Sequence, residues 1–184
     1  MLELYWTANC DLHRKVEILL SRKLSPFTIR RTPNGKPYIE GNPLYFSVSH
    51  SYNHAVIALC DKPVGIDLEY YDKNGRLKKY SSVLKRFTER EKQEIGDSFA
   101  AFFINWVIKE AYIKMTGGTL AKDLKKLEYV SRKLYYDGKE VTCGFVTVAE
   151  IPAGIYAVCA EGYSEDELFN TRIKLFRLRK GEKI

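Results

Sequence analysis

The sequence predicts an α+β fold, and three observations carry that prediction. Residues 44–70 hold three runs rich in β-branched and aromatic residues, LYFSVSHS, HAVIALC and VGIDLEY, parted by polar or Pro-containing breaks. One long, largely apolar helical segment, SFAAFFINWVIKEAYIKMTGG, follows in the middle of the chain. After it come LEYVS, KLYYDGKEV with an Asp-Gly turn, GFVTVAE and GIYAVCAEG, which read as an antiparallel meander.

The elements can be justified in chain order. From Asp11 to Lys23 a first helix is expected, because Leu12, Val16, Leu19 and Leu20 share one face and Asn9 or Asp11 can cap its start. FTIRR (27–31) reads as a short strand, and TPNGKP (32–37) as a turn whose loop carries Lys36. The three strands of the 44–70 region come next. The 75–97 segment turns helical, and Thr88 followed by Glu91 forms a capping box that starts a helix at FTEREKQEI. In the long helix Phe99, Phe102, Phe103, Trp106, Val107 and Ile113 supply the buried surface, with Gly117 and Gly118 as a stop. HAVIALCD (54–61) and IYAVCAEG (155–162) are loosely alike, which points toward a duplicated architecture, with a boundary in the polar DKNGR run near 71–76.

With 184 residues, 45% of them hydrophobic and 29% charged, the chain can bury a core of its own. No run approaches the roughly 20 apolar residues of a membrane helix. The opening MLELYWTANCDLHRK lacks the features of a secretion signal, so a cytoplasmic protein is expected. Cys10, Cys60, Cys143 and Cys159 lie far apart with no CxxC, which argues for reduced thiols rather than a zinc site or a disulfide framework. The net charge of +7 favours anionic partners, and the crowd of Arg172, Lys174, Arg177, Arg179, Lys180 and Lys183 reads as a solvated tail. A nucleic-acid module is disfavoured, since no RNP aromatics, helix-turn-helix signature or zinc spacing occur.

Asp67 and Glu69 stand two apart in VGIDLEY, so on a strand both carboxylates share one face while Ile66 and Leu68 take the other. On its own this pair reads as a solvated strand face. Glu110 is a candidate partner, set among Trp106, Val107 and Ile113 with Lys114 four residues on, an expensive place for an idle charge. Three carboxylates without nitrogen or sulfur ligands describe a hard-oxygen site of the kind Mg²⁺ takes, with Lys109 and Lys114 placed to hold phosphates. Ser49 and His50 do not form a nucleophile–base relay, because adjacent strand residues point to opposite faces. A phosphate or ribose contact, or a structural histidine, remains open there.

Taken together, NGKPYI (34–39), FSVSHS (46–51), VGIDLE (64–69), KRFTEREK (85–92) and WVIKEAYIK (106–114) resemble, in order and spacing, the 4'-phosphopantetheinyl transferase superfamily, and most of all its surfactin-type branch. That resemblance implies two pseudo-symmetric α/β halves, residues 1–75 and 76–184, with an active site at their interface in a monomeric chain. It implies transfer of the phosphopantetheine arm of coenzyme A to a serine of an apo acyl or peptidyl carrier protein, with Mg²⁺ as cofactor and adenosine 3',5'-bisphosphate as the leaving group. Carried over by motif, Asp67, Glu69 and Glu110 would bind the metal, and Glu110, directly or through a metal-bound water, would also take the serine proton. Lys109 and Lys114 would hold the pyrophosphate, Ser49 and His50 would touch coenzyme A, Gly35, Lys36 and Pro37 would form its adenine-side loop, and Arg14 would meet the 3'-phosphate. The competing reading is a silent protein that binds coenzyme A or carriers without transfer.

Overall fold

The computed structural model describes residues 1–8, 11–24, 26–70, 80–151, 154–178 and 182. The chain is a mixed α+β structure in which two sheets pack face to face and a helix covers each outer face. The first sheet has strand order β12-β1-β5-β4, built from Leu2–Ala8 (β1), Tyr45–Ser51 (β4), His54–Cys60 (β5) and Ile173–Leu175 (β12). The second has order β10-β11-β6, built from Val64–Glu69 (β6), Gly144–Ile151 (β10) and Gly154–Ala160 (β11). Two smaller units, the hairpin Ile29–Arg31 (β2) with Pro37–Ile39 (β3) and the meander Leu127–Val130 (β7), Lys133–Tyr136 (β8) and Lys139–Glu140 (β9), flank this sandwich.

Period-2 alternation explains the layers. On β5, Val56, Ala58 and Cys60 face inward against Val64, Ile66 and Leu68 of β6 and Tyr156, Val158 and Ala160 of β11. Ile57 and Leu59, on the opposite face of β5, pack with Phe46 under Val16, Leu19 and Leu20 of helix α1 (Leu12–Ser21). Because β5 is buried on both faces, it reads as an unbroken apolar run. The outer face of the second sheet, with Ile155, Ala157 and Cys159, receives helix α4 (Phe99–Thr116). Before α4 come the short helices α2 (Ser81–Leu84) and α3 (Glu89–Ile95), and after it α5 (Leu120–Asp123) and α6 (Glu165–Phe169).

Local signals did set several boundaries. Thr88 and Glu91 form the expected reciprocal capping box at α3. Ser98 Oγ accepts from Ala101 N–H at 3.2 Å to open α4, and Gly117, at φ 74°, closes it in the left-handed conformation. Asp11 precedes α1, but with φ 49° and no side-chain cap bond; Asn9 lies outside the described residues. The DKNGR run and the boundary near 71–76 also lie outside them.

The opening LELYWTA, given no element from the sequence, is a strand, pairing antiparallel with β5 from Leu2↔Cys60 to Ala8↔His54. Three expectations are corrected. Pro37, placed in the turn, begins β3. The meander is confined to β7–β9, whereas β10 and β11 join β6 across a long sequence separation. Nor is the C-terminal basic segment simply solvated: β12 pairs parallel with β1, Phe176 is buried against α1's core, and Arg22 bonds both Arg177 O and Glu182. Free thiols are found at Cys60, Cys143 and Cys159, Cys10 lying outside the described residues. No described helix is long and apolar enough to cross a membrane.

Candidate active site

The site forms where β4, β6 and α4 meet, and Gly65 makes that meeting possible. A Cβ at Gly65 would stand 1.9 Å from Ala111 O and 2.4 Å from Met115 N, so the backbone of α4 lies directly on the strand. Asp67 and Glu69 share the face of β6 that Gly65 presents, and Glu110 and Lys114 immediately precede the two α4 residues in contact. Ile66 and Leu68 fill the opposite, inter-sheet face as the alternation requires.

A ladder of serines supplies the second wall. Ser47, Ser49 and Ser51, at every other position of β4, reach across to β6. Ser47 Oγ accepts from Ile66 N–H at 3.1 Å, Ser49 Oγ donates to Asp67 Oδ1 at 2.8 Å, and Ser51 Oγ donates to Glu69 Oε2 at 3.1 Å. Trp106 Nε1 donates to Glu69 Oε1 at 3.1 Å. Lys114 Nζ lies 2.5 Å from Asp67 Oδ1, 2.8 Å from Ser49 Oγ and 4.0 Å from Glu110 Oε2.

These surroundings shift the carboxylates. Burial, then repulsion from Asp67 and Glu69, pushes Glu110 up to about 8 despite the attraction of Lys114. Glu69 is raised too, by burial and by Asp67, against the bonds from Trp106 and Ser51. Asp67 is 3% exposed, and its buried Oδ2 has no hydrogen-bond partner in the structure. The donor set is all oxygen, one buried lone-pair site is unclaimed, and mutual repulsion calls for positive charge; the residues present fit a hard divalent cation. As they stand, no three His, Cys, Asp or Glu side chains among the described residues are drawn together tightly enough to enclose a metal ion. Asp67 is turned onto Lys114 and Ser49, and Glu69 onto Ser51 and Trp106.

Beside this cluster the loop of residues 32–37 closes over the C-terminus of α4. Asn34 Nδ2 donates to Gly117 O at 2.9 Å, and Lys36 Nζ to Met115 O at 2.6 Å, satisfying carbonyls that the helix leaves open. Burial pulls Lys36 down to about 8. Gly35, Lys36 and Pro37 line one groove of about 240 Å³ with Ser47, Ile113 and Lys114.

Three predicted residues stand apart from this cluster. Lys109 is fully buried, 2.5 Å from an equally buried Glu91 and 4.1 Å from the centre of the Phe87 ring. It therefore tethers α4 to α3 instead of facing the cleft, because consecutive helical residues lie about 100° apart. Arg14 is exposed and paired with Glu17 on its own helix at 3.1 Å. His50 is exposed on the face of β4 opposite the serines, in step with Phe46 and Val48. Trp106, Ser47 and Ser51 enter the site unanticipated; for the serines, the alternation in FSVSHS was the available signal.

Comparison with known proteins gives a consistent picture. Residues 63–134 match the model of the 4'-phosphopantetheinyl transferase superfamily. The chain is 32% identical over 143 residues to 4'-phosphopantetheinyl transferase psf-1 of Bacillus pumilus, covering 68% of this chain and 57% of that protein. It is 30% identical over 146 residues to 4'-phosphopantetheinyl transferase of Bacillus subtilis, covering 76% and 58%. With 4'-phosphopantetheinyl transferase AcpT of Salmonella typhi it shares 33% over 108 residues, covering 55% and 56%. The chain thus spans about half the length of the curated relatives it matches.

Proposed function

Because the chain belongs to the 4'-phosphopantetheinyl transferase superfamily, we propose that it moves the phosphopantetheine group of coenzyme A onto a serine hydroxyl of an apo acyl or peptidyl carrier protein, as a surfactin-type enzyme. The observation that carries this reading is the convergence of Asp67, Glu69, Glu110 and Lys114 beside the groove of Lys36. In this reading residues 1–75 and 76–184 are two halves, and the site lies where β6 of one meets α4 of the other.

The chemistry is an in-line displacement at the β-phosphorus of coenzyme A. The serine oxygen forms the new P–O bond, its proton passes to Glu110, and the bond to the bridging oxygen breaks to release adenosine 3',5'-bisphosphate. Lys114 meets the pyrophosphate and stabilises charge on the leaving phosphate. The Gly35–Lys36–Pro37 loop seats the nucleotide end, and His50 and Arg14, which stand apart from the cluster, would have to reach coenzyme A and its 3'-phosphate from outside it. Mg²⁺ held by Asp67, Glu69 and Glu110 would neutralise the negative charge that spreads over the phosphates.

Intact-protein mass spectrometry tests the proposal. Apo carrier protein incubated with this protein, coenzyme A and Mg²⁺ is expected to gain one phosphopantetheine, and the gain should vanish with EDTA or in Asp67→Asn. No gain on either acyl or peptidyl carriers, with the protein shown to be folded, would overturn it.

A further inference from the structure

The proposed site already contains a cation of its own. Lys114 Nζ is 2.5 Å from Asp67 Oδ1 and 4.0 Å from Glu110 Oε2, the side of the cluster where repulsion among Asp67, Glu69 and Glu110 calls for positive charge. The contact is a built one. Ser49, 6% exposed, accepts from Lys114 at 2.8 Å while donating to the same Asp67 oxygen at 2.8 Å, so the ammonium has two seats. Asp67 Oδ2 stays buried and unclaimed beside it. The same Lys114 also lines the groove of Lys36, so the ammonium stands between the carboxylates and the groove.

We propose that Lys114 is the resident counter-ion of the carboxylate cluster, and that a divalent cation must displace it from Asp67 before it can serve a phosphate in the neighbouring groove. The inference rests on the reading of Asp67, Glu69 and Glu110 as a cation site. Its content is an exchange: the metal takes over the charge that Lys114 neutralised, and the freed ammonium turns to the anion. By linkage, whatever draws Lys114 into the groove must tighten the metal by the same factor. The cation therefore binds the substrate-free protein weakly, because it competes with a tethered lysine.

The test measures Mn²⁺ alone, without coenzyme A, by the loss of free-ion paramagnetic resonance signal on titration with wild type, Lys114→Met, Ser49→Ala and Asp67→Asn. Removing the competing ammonium should tighten Mn²⁺ by roughly tenfold, a modest figure for a partly buried contact between unit charges. Ser49→Ala, which removes one seat of the lysine, should tighten it by less, and Asp67→Asn should abolish binding. Equal or weaker binding in Lys114→Met overturns the exchange and leaves the cation site standing. No binding in wild type and Lys114→Met alike, or binding that survives Asp67→Asn, overturns the cation site and the exchange together. If thermal melts show Lys114→Met unfolded, the direction of the Ser49→Ala shift decides.

Discussion

Replacing Gly65 by alanine separates positioning from stability at this site. The added methyl carbon would stand 1.9 Å from Ala111 O and 2.4 Å from Met115 N. Both are backbone atoms, so no rotamer change relieves the clash, and α4 must lift by on the order of 1.5 Å to regain ordinary contact. Overpacking of this kind costs about 2 kcal/mol, which lowers the Tm of a domain this size by roughly 4–8 °C. The effect on the chemistry is larger. Glu110 and Lys114 ride on the lifted turns, and a misplacement of ~1 Å costs on the order of 100-fold in rate. Gly65→Ala should therefore remain folded at 25 °C and lose about two orders of magnitude in phosphopantetheine transfer, read by mass spectrometry alongside a thermal melt. Wild-type transfer at an unchanged Tm would refute the close approach of β6 and α4 on which the site is built.

Two further outcomes are expected. Lys109→Met leaves the Glu91 carboxylate buried without its counter-charge and should cost about 3–5 kcal/mol in a urea melt; at a temperature where the variant stays folded, KM for coenzyme A should not move, and a raised KM would restore Lys109 to the phosphate site. Lys36 gives a pH signature with a definite sign. Its folded pKa of about 8 lies below the ordinary lysine value of 10.5, so between those limits the unfolded chain holds more protons, and stability rises with pH through the window. Urea melts at several pH values across it should show that rise in wild type and lack it in Lys36→Met; parallel profiles would refute the burial of the ammonium.

Much of the candidate site was legible because its geometry is local. Strand alternation alone puts Asp67 and Glu69 on one face, helical spacing alone puts Glu110 one turn from Lys114, and the Thr88–Glu91 box alone starts α3. The site residues that the sequence shows by local period are those the structure brings together, along with the Gly-Lys-Pro loop that shares a groove with Lys114. What local period leaves undetermined is direction. Lys109 and Glu110 are adjacent, equally plausible phosphate or metal groups, and about 100° apart on the helix. Only the crossing of α4 over Gly65 turns Glu110 toward Asp67 and Lys109 toward Glu91.

Strand partnership was hidden for the same reason. LELYWTA pairs with β5 on one side and with the stretch around Ile173 on the other, both partners far away in sequence. A pattern of apolar residues says that a strand has a face to bury, while the identity of its neighbour is set by contacts far apart in sequence. Thus the amino-acid sequence by itself determined α1, β4 to β6, α3 and α4, the carboxylate pair and the Glu110–Lys114 spacing. The tertiary structure decided that β11 is the neighbour of β6, that Ser49 bridges Lys114 to Asp67, and that Lys109 is a buried tether, because each depends on how surfaces meet and not on the period of any one segment.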